Sequence, residues 1–260
     1  MYISSKDNPL IKLTKKLQQK KYRDETQLFL LEGERSVNEG LQAERITEVL
    51  LRESTAVKQS ALIMPPFEAQ HCHVVADKVF QGLAETDSPP PVIAIARQSR
   101  EEAWQRVIKA KRLVYLDHLQ DPGNVGTIIR SALAFSADGL LLSPGSADPY
   151  NAKSVRASCG AILHLPIVPE VSLDRLADLG QQGFRLVATE ASASRAYYEY
   201  DFTGRQIILI GSEAFGLTQE LKEISSDAIK IPINERSESL NAAISCAIIL
   251  AEAKQQSFKS

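Results

Sequence analysis

Cysteine, histidine and tryptophan are scarce in this chain of 260 residues, which has three cysteines, four histidines and one tryptophan. The cysteines (Cys72, Cys159 and Cys246) are odd in number and widely separated, so they imply no disulfide framework and indicate a reducing compartment. His71 and His73 flank Cys72, but no C-x-x-C or H-x-x-x-H partner occurs elsewhere. We therefore predict no metal site.

Long hydrophobic runs are also lacking. The N-terminus has no signal-peptide hydrophobic segment. The longest apolar stretch, residues 242–251, is interrupted by Ser245 and is too short to span a bilayer. We expect a cytoplasmic, soluble protein with no membrane partner.

A strong overall charge is lacking too, but the charge is unevenly distributed. The net charge is −2, whereas residues 1–23 carry +6 and the remainder −8. Taken alone, such a basic helical segment is typical of a solvated helix face. The alternative is an arm that contacts nucleic-acid phosphates.

The order of strand and helix signals predicts two domains. The first hundred residues alternate short strands and helices, and the charged, helix-favouring segment 99–112 lies at the junction. From residue 112, continuous apolar strands alternate with helices, which is typical of a parallel sheet covered on both faces. We predict domains at residues 1–105 and 106–260.

Ligands of parallel α/β sheets bind beyond the carboxyl ends of the strands. Three loops lie there in the second domain, at residues 117–126, 211–217 and 232–241. None is a G-x-G-x-x-G or P-loop sequence, which argues against a nicotinamide-dependent oxidoreductase.

The first loop runs into a predicted helix at residues 124–136. Asn124 is either a helix N-cap or a functional residue, and Arg130 lies about 9 Å further along the helix. Arg130 is either a solvated surface arginine or a residue that points toward the open end of the sheet.

The second and third loops are also compatible with both structural and functional roles. Gly211 and Gly216 allow a close approach to a ligand, and Glu213 is either a turn residue or a polar ligand contact. Ser239 or Asn241 begins the last predicted helix, which contains small residues suited to close packing against its own sheet or another chain.

Four segments together resemble the SpoU (TrmH) family of RNA 2′-O-ribose methyltransferases, in the SPOUT superfamily. They are "NVGTIIRSALAF", "DPYNAKSVRASCGAILHLPI", "IILIGSEAFGL" and "IPINERSESLNAAISCAIIL", in the order and spacing of that family. The first domain is similar to the small ribosomal-protein-like α/β domain that often precedes the catalytic domain and binds RNA.

The resemblance implies an α/β fold whose C-terminal parallel-sheet domain contains a deep trefoil knot and forms a homodimer. It also implies S-adenosylmethionine as the cofactor, bound in the knot. The implied cofactor residues are Gly211, Glu213, Gly216, Ile231, Pro232 and Leu240.

The resemblance further assigns a catalytic centre and an RNA surface. The catalytic positions are Asn124, Arg130, Glu213, Ser239 and Asn241. The family's arginine is regarded as the base, but a guanidinium stays protonated, so positioning a phosphate and stabilising charge suit Arg130 better. The RNA-binding candidates are Lys12, Lys15, Lys16, Lys20, Lys153 and Arg156.

The leading functional hypothesis is methylation of a ribose 2′-hydroxyl in structured RNA, with rRNA favoured over tRNA. A tRNA 2′-O-ribose methyltransferase is one alternative. Another is a non-catalytic RNA-binding factor for ribosome assembly, against which the complete set of catalytic positions argues.

Overall fold

A computed structural model describes residues 1–56, 58, 69–83 and 90–258 of the chain. The described residues form two compact units. The first contains residues 1–98 and 150–163, and the second contains residues 99–149 and 164–260. Within the described ranges, no helix has the length and hydrophobicity needed to cross a membrane.

The first unit is built on a five-stranded mixed sheet. Its strands are β1 (Tyr2–Ile3), β2 (Leu28–Glu32), β3 (Ile46–Arg52), β4 (Cys72–Val75) and β5 (Val92–Arg97), in the order β1-β4-β3-β5-β2. β1 and β3 pair in parallel with β4, while β5 is antiparallel to β2 and β3. Ile11, Leu17 and Phe80 pack with Leu50 and Ile95 in its core.

The α-helices of the first unit within the described ranges are α1 (Pro9–Lys16), α2 (Lys20–Thr26), α3 (Glu34–Gln42), α4 (Asp77–Phe80) and α7 (Ala152–Ala157). The helical spacing of leucines and lysines within residues 8–22 predicts a single helix there, which is wrong because α1 ends at Lys16 and α2 begins only at Lys20. There the buried Arg23 donates from Nη1 to the carbonyl oxygen of Leu17 at 2.7 Å, which satisfies a backbone acceptor at the end of α1.

The segment 150–163 packs with the first unit, although it lies within the sequence range assigned to the second domain. The Tyr150 ring lies 5.0 Å from that of Phe29, and Arg156 forms an ion pair with Glu32 at 3.3 Å. The division at residues 105/106 stays a prediction about functional domains.

The His71-Cys72-His73 segment is held by one carboxylate. Glu48 contacts Nδ1 of His71 at 3.1 Å and Nε2 of His73 at 2.7 Å. In the part of the chain that the structure describes, no group of three or more His, Cys, Asp or Glu side chains is arranged to hold a metal ion.

The second unit contains a seven-stranded, fully parallel sheet. Its strands are β6 (Arg112–Leu116), β7 (Gly139–Leu142), β8 (Ile167–Val168), β9 (Arg185–Thr189), β10 (Arg195–Ala196), β11 (Gln206–Ile210) and β12 (Asp227–Lys230), in the order β10-β12-β9-β11-β6-β7-β8. The central strands are buried along their whole length because helices cover the sheet, as their continuous apolar sequences predicted.

The helices of the second unit are α5 (Arg100–Val107), α6 (Pro122–Ala134), α8 (Leu173–Gln181), α9 (Gln219–Ile224) and α10 (Ala242–Gln256). α10 packs along α6, with Ala242, Ala243 and Cys246 on its buried side. The predicted α/β fold with a parallel sheet is therefore confirmed.

Candidate active site

The strand order brings the three predicted loops to one edge of the sheet. β11 pairs in parallel with β6, with Ile210 opposite Leu116 at their carboxyl ends. The register continues one residue further, since Asp117 donates its backbone N–H to Ile210 at 2.8 Å. The loop after β12 enters the same region, because residues from it line a cavity together with the loop after β11.

Asn124, Glu213 and Asn241 form a hydrogen-bonded cluster at this edge. The Asn124 side chain donates from Nδ2 to Oε1 of Glu213. Its Oδ1 accepts from Nδ2 of Asn241 at 3.0 Å. These three residues come from three separate segments of the chain, so the fold brings together three of the five predicted catalytic residues.

Helix capping explains how both asparagines are positioned. The suggestion that Asn124 caps α6 is wrong, because Asp121 is the N-cap and accepts from the Gly123 backbone at 2.9 Å, with Pro122 in the first turn. Asn124 therefore lies within the first turn with its amide turned to Glu213. Asn241 is the N-cap of α10, and its Oδ1 accepts from the backbone of Ala243 and Ile244 at 2.9 and 3.2 Å.

The two remaining predicted catalytic residues are Arg130, on the same helix as Asn124, and Ser239, in the wall of the cavity. Arg130 is on the exposed side of α6. Ser239 is exposed and lines the cavity beside the cluster, two residues before the α10 cap. The sequence did not single out Asp117, whose side chain is buried at the end of β6 and accepts from the Thr218 backbone at 2.8 Å.

A cavity of about 370 Å³ adjoins the cluster, within the size range of small-molecule sites. Five of the six predicted cofactor residues line it, namely Gly211, Glu213, Gly216, Ile231 and Leu240. Pro232 is exposed and is not among the lining residues. Thr189, Glu190 and Ser245 also line the cavity, and the sequence did not single them out.

A tight turn shapes the wall of this cavity. Ser212 and Gly216 exchange backbone hydrogen bonds of 3.0 and 2.9 Å, and Gly216 has a φ of +67°. A Cβ at Gly211 would lie 2.2 Å from the carbonyl carbon of Gly216, so only glycine fits there.

The six predicted RNA-binding residues all belong to the first unit. Lys12 pairs with Asp7 at 2.9 Å, Lys20 with Asp24 at 3.2 Å, and Arg156 with Glu32. Lys16 lies 5.2 Å from the centre of the Tyr22 ring. Lys15 is on α1, and Lys153 is on α7.

A covered parallel sheet with a ligand-sized cavity and a polar cluster at its carboxyl edge is typical of α/β enzymes that bind a small-molecule cofactor. The sequence profile of the SpoU rRNA Methylase family matches residues 111–251, which is more than half of the chain. The chain therefore belongs to this family. The profile of an MRM3-like substrate binding domain matches residues 8–94.

Individual relatives agree with this assignment. A 23S rRNA (guanosine(2553)-2′-O)-methyltransferase of Bacillus subtilis is 30% identical over 249 residues, which cover 95% of this chain and 97% of the relative. An AdoMet-bound rRNA methyltransferase of Sinorhizobium meliloti aligns with a TM-score of 0.84 at 29% identity, covering 98% of each chain. The SpoU methyltransferase AviRb of Streptomyces viridochromogenes, in complex with AdoMet, aligns with a TM-score of 0.87 at 26% identity, covering 97% of this chain and 99% of its own.

These findings confirm the predicted family, enzyme class and cofactor. The chain is an S-adenosylmethionine-dependent RNA 2′-O-ribose methyltransferase.

Proposed function

We propose that this enzyme methylates a ribose 2′-hydroxyl of rRNA at the Asn124–Glu213–Asn241 cluster. The observation that carries the proposal is the position of this cluster beside the 370 Å³ cavity, with Glu213 belonging to both. A nucleotide held at the cluster would present its ribose to the ligand in the cavity.

The cavity residues fit S-adenosylmethionine. The cavity is large enough for a small-molecule cofactor, and Ile231 and Leu240 supply apolar surface. The glycine at position 211 lets the loop after β11 close tightly against residue 216. When bound, S-adenosylmethionine supplies a methyl group that is already activated by its sulfonium. The backbone of Gly211, Ile231 and Leu240 would hold it, with Gly216 and Pro232 shaping the loops.

The protein must then align the hydroxyl and manage its proton. Asn124 is held at both ends of its amide, by Glu213 and by Asn241, which fixes its orientation before substrate arrives. Ser239 lies at the cavity wall and adds a hydroxyl that can donate to or accept from the bound groups.

Arg130 serves the RNA side of the reaction in this proposal. It is exposed on the helix that carries Asn124, and its guanidinium provides a planar set of donors that matches a phosphate. Because it stays protonated, its role is to position the target phosphate and to stabilise negative charge as the 2′-hydroxyl loses its proton.

The first domain, residues 1–105, is the substrate-binding part of the proposed enzyme. The match of residues 8–94 to a substrate binding domain supports this role, as do the basic residues of α1 and α2. The family resemblance supports a trefoil knot in the second domain and a homodimer. Both are part of the proposal, together with a cytoplasmic location, which the few, widely separated cysteines favour.

The test is transfer of labelled methyl groups from S-adenosylmethionine to unmodified rRNA and tRNA, offered separately. Wild type, Arg130→Ala and Arg130→Lys are compared, and nuclease digestion locates the label. We expect label on a ribose 2′-oxygen of rRNA with wild type, and a loss of at least about 100-fold with both variants, because lysine lacks the planar donor set.

Cofactor affinity, measured by calorimetry, should stay within about twofold of wild type in both Arg130 variants. Label on tRNA alone would contradict the rRNA assignment. Cofactor binding without transfer to either RNA, including RNA in assembling subunits, would favour the non-catalytic assembly factor.

A further inference from the structure

A second cavity, of about 440 Å³, lies beside the cofactor cavity in the same unit. The two cavities share the turn that follows β11, at Ser212, Glu213, Gly216 and Leu217. The walls that belong to the second cavity alone come from Asp117, His118, Gln120, Ala214, Phe215 and Thr218. A molecule bound there would therefore lie next to Glu213 of the catalytic cluster.

One wall presents an imidazole that is held in a fixed orientation. The buried Asp117 carboxylate contacts Nδ1 of His118 through Oδ1 at 2.7 Å, while Oδ2 accepts from the backbone of Thr218 at 2.8 Å. The His118 backbone donates to Oγ of Ser143 at 2.8 Å, and its φ is +50°. Because a carboxylate only accepts hydrogen bonds, Nδ1 donates its proton to Asp117, and Nε2 on the other side of the ring is the nitrogen that can hydrogen bond to a ligand.

Another wall of the cavity contains Phe215, whose aromatic ring is exposed to solvent. The Phe215 side chain is 91% exposed, although phenylalanine is among the most frequently buried residues. It lies at the tip of the turn that both cavities share. An exposed aromatic ring next to an oriented imidazole matches how proteins bind an unstacked nucleobase, by stacking on its face and hydrogen bonding to its edge.

We propose that the second cavity binds the base of the nucleotide that is methylated. Phe215 stacks on the face of the base, and Nε2 of His118 forms a hydrogen bond with a polar group on its edge. This inference rests on the proposed function, because it places the ribose of the same nucleotide toward Glu213 and the cofactor cavity. His118 and Phe215 are then specificity-determining residues.

The test measures binding of nucleoside 5′-monophosphates to the full chain by saturation-transfer difference NMR. Saturating S-adenosylhomocysteine is present so that no nucleotide occupies the cofactor cavity. The variants are Phe215→Ala and His118→Asn, since asparagine tolerates a positive φ and preserves the backbone. Phe258→Ala is the control, because Phe258 is also an exposed aromatic residue, at 77%, and is not part of either cavity.

We expect saturation of base protons of at least one nucleotide with wild type and with the control. Loss of a stacking partner weakens binding by roughly 5- to 100-fold, which would abolish the base signal with Phe215→Ala. His118→Asn should reduce the signal of the preferred base most. Equal signals in wild type and both variants, or no base signal with wild type, would overturn the proposal.

This readout does not depend on methyl transfer. If base binding follows the expected pattern but no RNA is methylated, the proposed function fails and the base site remains. If RNA is methylated by wild type, and by Phe215→Ala and His118→Asn at the wild-type kcat/KM, the base site fails and the proposed function remains.

Discussion

Asn241 links the start of the last helix to the catalytic cluster, since it donates from Nδ2 to Oδ1 of Asn124 at 3.0 Å. The same side chain caps α10 through its Oδ1. Its two ends therefore serve two purposes, one for the stability of α10 and one for the orientation of Asn124.

Substitutions at position 241 should separate these two roles. Asn241→Ala loses both, and we expect a destabilisation of about 1 kcal/mol from the lost cap together with a loss of methyl transfer. Asn241→Asp keeps an accepting oxygen for the cap but loses the donor to Asn124, so it should unfold at nearly the wild-type urea concentration and still lose transfer at least about tenfold. Full activity in Asn241→Asp would contradict a positioning role for this contact.

Gly211→Ala should damage the cofactor cavity. The added Cβ would lie 2.2 Å from Gly216 and 2.4 Å from the Leu217 nitrogen, so the turn must move. We expect a destabilisation of roughly 1–3 kcal/mol and at least about tenfold weaker binding of S-adenosylmethionine, measured by denaturation and calorimetry.

Gly180→Ala is the matched control for Gly211→Ala. A Cβ at Gly180 would meet Leu186 at an ordinary distance of 3.6 Å, and the residue lies within helix α8. The variant should be as stable as wild type or slightly more stable, because alanine favours a helix. If both variants bound the cofactor equally well, the close approach at Gly211 would be unimportant for the site.

Lys15→Ala/Lys16→Ala should weaken RNA binding in a salt-dependent way. The logarithm of the RNA-binding constant falls with the logarithm of the salt concentration, and each lost phosphate contact makes this slope shallower by about 0.7–0.9. The double variant should therefore show a slope that is shallower by roughly 1.5 than that of wild type. The control is Lys109→Ala/Lys111→Ala, which removes the same charge from exposed positions of the other unit. Equal effects in the two double variants would indicate that net charge, and not α1, determines binding.

The three cysteines should differ in their reaction with iodoacetamide. Cys246 is fully buried in α10, and burial raises the pKa of its thiol to about 12. Burial also raises the pKa of the half-buried Cys72. Because only the thiolate reacts, a raised pKa leaves less reactive sulfur near neutral pH.

We therefore expect the exposed Cys159 to be modified first and Cys246 only after unfolding, as measured by mass spectrometry of peptides. A Cys159→Ser chain should be labelled slowly under native conditions. Modification of native Cys246 at the rate of Cys159 would show that α10 separates from the elements packed against it in the native protein.

Most of the second unit could be predicted from the sequence, because its central strands are long, continuous apolar runs. The two-residue strands β1, β8 and β10 were missed, since two residues carry no periodicity. The break between α1 and α2 was also missed, because it depends on Arg23 folding back onto Leu17, a contact between helices that repeating hydrophobic residues do not reveal.

The sequence was sufficient to predict most residues of the candidate site, but not the hydrogen bonds between them. Asn124 has the side chain of a good N-cap, yet Asp121 followed by Pro122 competes successfully for that position. His118 and Phe215 could not be singled out from the sequence, because a histidine after a strand and a phenylalanine in a turn are both common. Only the structure shows that Phe215 is exposed and that Asp117 orients the His118 ring.

The packing of segment 150–163 with the first unit has a consequence for protein engineering and for recombination between relatives. The chain leaves the first unit after residue 98 and returns to it between residues 150 and 163, where Tyr150 meets Phe29. A graft that replaces only residues 1–98 would leave α7 facing a foreign surface. Exchange of substrate-recognition parts between such enzymes therefore requires two matched pieces of gene and not a single cassette.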